Sequence, residues 1–70
     1  MKPPITIDPE IMSGQPVFSG TRVPVETLIG YLVDGNTLGE FLEDFPTVSH
    51  ADAVAVLDYA NQVLLRPIAA

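Results

Sequence analysis

The stretch Gly14-Gln15-Pro16-Val17-Phe18-Ser19-Gly20-Thr21-Arg22-Val23-Pro24-Val25 leaves this chain few choices. Its prolines and glycines rule out one continuous helix, and the apolar pairs between them read as two short extended pieces, near 16–18 and 21–23. The chain must reverse between them, and Gly20 can take the positive φ that such a turn requires. Pro24 has no N–H to lose and a φ already near helical, which suits the first position of a helix. Val23, before it, is pushed to β by the proline ring. Arg22 lies among Val17, Phe18, Val23 and Val25, and a cation in apolar company needs an internal partner. It is expected to be at least half-buried and to tie hairpin to helix. Its expected partner is Asp44, or else Glu43 or Asp8; the competing functional reading is a contact to phosphate.

Around this stretch the periodicity predicts one short strand and three helices. Ile5-Thr6-Ile7 alternates apolar and polar, as a half-buried strand does. Asp8-Pro9-Glu10 opens a turn or a single helical turn, after which Ile11 and Met12 cover the edge of the core. A first helix is predicted over 24–34, with Val25, Leu28, Ile29, Leu32 and Val33 as its apolar face, Glu26 in its first turn and Gly35 at its end. A second is predicted over 38–45. Thr37 and Glu40 have capping-box spacing, Leu38, Phe41, Leu42 and Phe45 form the apolar face, and Pro46 is the stop. A third is predicted over 50–65, capped by Ser49 with Asp52, with Val48 stapled on Ala53 and Pro67 marking the end. Its apolar face is Ala53, Val56, Leu57, Ala60, Val63 and Leu64.

With 70 residues the chain makes one small domain, and a core of that size gives little net stability. No cysteine is present, so neither a disulfide nor a thiolate metal site can help. Apolar residues make up 47% of the chain, more than so small a monomer covers, and a homodimer or higher oligomer is expected. Its interface is expected to draw on Ile5 and Ile7 or on apolar positions of the third helix. Nine acids against three bases leave a net charge of −6, which opposes phosphate neutralisation and favours a basic protein partner. No run of about 18 apolar residues occurs, and no signal-peptide core, so no membrane contact and a cytoplasmic location are expected.

The second helix, a turn of three or four residues and the third helix have helix-turn-helix spacing. A recognition helix also needs bases and amides at its start, where this chain has Ser49, His50 and Asp52. The geometry suits DNA; the chemistry does not. His50 and Asp52 make two metal ligands without a third, and helix capping accounts for them, so no metal or cofactor is expected. Glu40, Glu43 and Asp44 read as a solvated helix face rather than catalytic carboxylates, and no nucleophile accompanies them. Tyr31 and Tyr59 lack basic neighbours, and read as packing or interface residues rather than base-stacking ones.

Gly14-Gln15-Pro16, Gly20-Thr21-Arg22-Val23-Pro24-Val25, Gly35, Glu43-Asp44-Phe45-Pro46 and Ala60 after Asp58-Tyr59 together resemble family 433 of the domains of unknown function. The resemblance covers residues 5 to 61. Members of that family are described as predicted antitoxins, similar to the VapB class. The resemblance implies a mainly α, three-helix, helix-turn-helix-like (winged-helix-like) domain with short N-terminal strands. It also implies a PIN-like ribonuclease toxin as neighbour. This chain has Ser13 where members often have glycine, and Gln15 where they often have lysine.

The resulting expectation is a non-enzymatic antitoxin of a type II toxin–antitoxin pair. Glu40, Glu43 and Asp44 would cover the toxin's basic surface. Arg66, anchored by Leu64, Leu65 and Ile68, would reach its metal-binding carboxylates from a short tail, 66–70. Arg66 has a bland alternative as a cation at a helix C-terminus. Two other functions compete, a DNA-binding repressor and a structural oligomerisation module without a toxin. DNA binding by the chain alone is expected to be weak, since Lys2, Arg22 and Arg66 are scattered.

Overall fold

A computed structural model of the protein describes residues 3–64. Two strands, β1 (Ile5–Thr6) and β2 (Val17–Phe18), precede three helices: α1 (Val25–Val33), α2 (Leu38–Asp44) and α3 (His50–Leu64). The domain is mainly helical, with a short antiparallel sheet in which Ile5 faces Phe18 and Thr6 faces Val17. Ile7 falls outside β1 and is 68% exposed, so the predicted strand is one residue too long.

Between the strands the chain turns at Asp8, whose carboxylate accepts from the Glu10 amide at 2.9 Å. A single 3-10 turn, Met12–Gly14, follows. Met12 and Ser13 have positive φ, 50° and 57°. For residues with a Cβ, the left-handed region costs roughly 1–2 kcal/mol each. Met12 is exposed and does not cover the core as expected.

The reversal after β2 is organised by Thr21. Gly20 has φ 79°, and the Thr21 hydroxyl donates to the Phe18 carbonyl at 2.8 Å while accepting from the Val23 amide at 3.0 Å. The Phe18 amide donates to the Val23 carbonyl and the Val25 amide to the Pro16 carbonyl, bracketing a bridge between Val17 and Pro24. In that register the two paired residues exchange no hydrogen bond, so the missing N–H of Pro24 costs nothing. The bridge also corrects the expected helix start. Pro24 has φ −64° but ψ 139°, so it stays extended as the cap and α1 begins at Val25.

α1 ends in a Schellman motif. The Gly35 amide donates to the Leu32 carbonyl and the Asn36 amide to the Tyr31 carbonyl, with Gly35 at φ 91°. α2 opens with the full capping box. The Thr37 hydroxyl accepts from the Glu40 amide at 3.1 Å, and the Glu40 carboxylate accepts from the Thr37 amide at 2.9 Å. α2 closes at Asp44, with Phe45 as its cap. Five residues, 45–49, connect it to α3, slightly more than expected. Ser49 caps α3 by accepting from the Asp52 amide.

Phe18 of β2, Leu28 of α1, Phe41 of α2, Val48 of the connection after it, and Ala53 and Val56 of α3 form the core. Phe41 is its hub: its ring centroid lies 5.8 Å from Phe18, 5.4 Å from Tyr31 and 5.1 Å from Phe45. The Tyr31–Phe41 pair is edge-on at 81°, the arrangement the ring quadrupoles favour. The helical faces expected to be buried are only partly covered. On α1 Leu28 alone is buried, while Ile29, Leu32 and Val33 are exposed. On α3 burial stops at Val56.

Candidate protein-interaction surfaces

Two surfaces stand out, one acidic and one apolar. The acidic one is built on α2. Glu40, Glu43 and Asp44 are all exposed. Glu40 is oriented by the capping box. Asp44 is held by the Tyr31 hydroxyl, which donates to its carboxylate at 2.6 Å. That hydrogen bond, with help from partial burial and the carboxylate's charge, raises the Tyr31 pKa above its ordinary value of 10.0. The aromatic cluster therefore ends at the surface in a phenol that fixes one acid of the trio.

This geometry corrects the expected role of Arg22. Its side chain is exposed, and Asp44 is engaged by Tyr31 instead. The reason lies in the turn: the neutral Thr21 hydroxyl already closes the reversal between Phe18 and Val23, so no buried cation is needed there. The signal for Thr21 was present in the sequence, because a threonine next to a turn glycine can satisfy nearby backbone groups with its hydroxyl. The structural anchors are thus Gly20, Thr21 and Pro24, with Asp44 anchoring Tyr31. Arg22 is the one lysine or arginine among the described residues.

The apolar surface is a shallow groove. α1 contributes Val25 and Ile29, and α3 contributes Val56, Tyr59, Ala60, Val63 and Leu64. Ile5 and Pro16 close it at the N-terminal side. A second depression shares Ile5, Pro16 and Tyr59, and extends over Pro3, Pro4 and Ile7. Neither depression has a charged lining residue among the described residues. The expected interface residues Ile5 and Ile7 fall here, Ile5 packed partly against the core and Ile7 exposed.

Leu65, Arg66 and Ile68 of the expected toxin-binding tail lie outside the described residues, as does Lys2. Leu64, the last described residue, is 77% exposed at the lip of the groove. His50 is exposed at the start of α3, and no three His, Cys, Asp or Glu side chains converge among the described residues. No described helix is long and apolar enough to cross a membrane.

A family profile described as "protein of unknown function (DUF433)" matches residues 5–60. The chain belongs to the DUF433 family. It is similar to a DUF433 member from Anabaena variabilis ATCC 29413, whose crystal structure at 2.00 Å superposes with a TM-score of 0.76 at 34% identity. The match covers 87% of this chain and 60% of that one, so this chain spans less than two thirds of that relative. No curated protein matches the chain.

Proposed function

We propose that this chain is a protein-binding antitoxin that neutralises a PIN-like ribonuclease encoded beside it, and that it works as a homo-oligomer. The observation that carries the reading is the exposed acidic edge of α2, where Glu40, Glu43 and Asp44 project from one short helix. A ribonuclease needs a basic surface for RNA, and a rigid row of carboxylates can occupy it in place of phosphates. Two of the three carboxylates are already oriented by hydrogen bonds, which lowers the entropy lost on binding. Arg66 would complete the inhibition by pairing with the carboxylates that hold the nuclease metal. Its planar fork matches two carboxylate oxygens and stays charged. DNA binding, in this reading, belongs to the complex, with the toxin supplying the bases that α3 lacks.

Co-expression with the neighbouring gene tests the proposal. That gene alone should arrest growth, and this chain should relieve the arrest and co-purify with its product. Glu43→Lys combined with Asp44→Lys should abolish relief while the domain stays folded. A version ending at Val63 should also fail, and full relief by that version removes the tail from the mechanism. Absence of both toxicity and complex would sink the antitoxin reading.

A further inference from the structure

We infer that the apolar groove between α1 and α3 is the contact face of a two-fold homodimer, with the exposed end of α3 from each copy covering the groove of the other. The first argument is the state of α3. Val56 is its last buried residue, yet the helix continues to Leu64. Those further residues, about two turns, carry Tyr59 at 55% exposure and Leu64 at 77%. Helical segments that short are marginal in water unless an apolar face is covered. Among the described residues beyond Val56, only Leu57 and Ala60 are half-buried.

The second argument is area. Ile7, Ile29, Tyr59, Val63 and Leu64 are all exposed on this face. With the flanking prolines they form one continuous apolar face, and a symmetric pair meeting through it would need to bury roughly 1,200 Å² in total to reach the lower end of the range for specific interfaces. The low end of that range is where weak, reversible complexes are found.

The third argument is charge, and it selects a second copy over a basic partner. Among the described residues the groove has no charged lining residue, and α2, which carries the acidic trio, contributes nothing to it. On α3, Asp58 lies outside the lining and accepts a hydrogen bond from Gln62 at 3.0 Å. Two copies can therefore meet face to face with their acids turned outward. A basic partner would find no charge to recognise here. The proposal is independent of any toxin.

Sedimentation equilibrium of the full chain from low micromolar to millimolar concentration is the test. A monomer–dimer equilibrium is expected, tightening as salt is raised, because screening weakens the repulsion between two chains of net charge −6 each. Tyr59→Glu should raise the dissociation constant about tenfold or more. Val33→Glu changes a residue that is 79% exposed but lies off the groove, and should leave the constant within about threefold. Because Tyr59→Glu can also weaken α3, the unmodified chain supplies a second measurement: its Tm should rise with concentration. A chain that stays monomeric at millimolar concentration, or a Tm independent of concentration, overturns the proposal. So does dissociation by Val33→Glu that matches that by Tyr59→Glu.

Discussion

The hairpin with α1 and α2 contrasts with the C-terminal half of α3. Both are rich in apolar side chains. In the first region Phe18, Leu28 and Phe41 have no exposed surface, and Thr21, Gly35 and the Thr37–Glu40 box close each chain reversal. In the second, Tyr59, Val63 and Leu64 lie exposed on a helix whose pattern looks equally amphipathic. An apolar stripe becomes core only where another element stands opposite it. In this domain the hairpin and α2 stand opposite α1, whereas in 57–64 only Leu57 and Ala60 are half-buried and Tyr59, Val63 and Leu64 border an open groove. The first region, with the start of α3, holds the core; the second leaves its apolar side chains exposed among the described residues.

The largest effect should come from Phe41→Ala, which removes the ring shared by Phe18, Tyr31 and Phe45. A loss of about 3–5 kcal/mol is expected, close to the whole stability of a domain this small. Thermal denaturation should then find no cooperative transition. Leu64→Ala, in the contrasting region, should leave the melting of the dilute chain within about 0.5 kcal/mol of the parent. Equal costs for the two would erase the contrast.

Next in size is the turn. Thr21→Val keeps the shape and removes the hydroxyl that serves Phe18 and Val23, and should cost about 1–3 kcal/mol in urea denaturation. Arg22→Ala, at the exposed neighbour, should stay within about 0.5 kcal/mol of the parent. The reverse order would restore Arg22 as the anchor.

Ser13→Gly should stabilise the domain. Ser13 sits at φ 57°, ψ 31°, a conformation natural to glycine. Relief of that strain, less the entropy glycine adds to the unfolded chain, leaves a gain of about 0.5–1 kcal/mol. An unchanged or lower urea midpoint would show the 3-10 turn to be unstrained.

The smallest effect is the pH response of Tyr31. Its raised pKa means that the bond to Asp44 is fully present below the ordinary tyrosine value of 10.0. The bond is lost as pH rises through the higher, folded-state value, when tyrosinate and carboxylate repel. Ultraviolet titration of a Tyr59→Phe variant reads Tyr31 alone, and its midpoint should lie above 10.0. Adding Asp44→Asn should bring the midpoint down; no movement would mean that Asp44 does not hold the phenol.

Local chemistry made much of the fold legible beforehand. The capping box at Thr37 and Glu40, the positive φ of Gly20 and Gly35, the starts of all three helices and the ends of α1 and α2 to within a residue or two follow from short-range sterics and hydrogen bonding. The acidic edge of α2 was legible for the same reason, since i, i+3 and i+4 spacing puts Glu40, Glu43 and Asp44 on neighbouring positions of one helix. The pairing of Asp44 was not, because it depends on how α1 is rotated against α2, which brings Tyr31 to Asp44 and leaves Arg22 outside. Nor was the groove. Periodicity marks Val56 and Val63 as the same stripe, and only the placement of α1 and β1 around α3 decides which is buried. The sequence by itself determined, to within a residue or two, where the helices start and where the chain turns around them, because those interactions span a few residues. The tertiary structure alone decided which apolar residues became core and which became surface, because burial depends on elements distant in the chain.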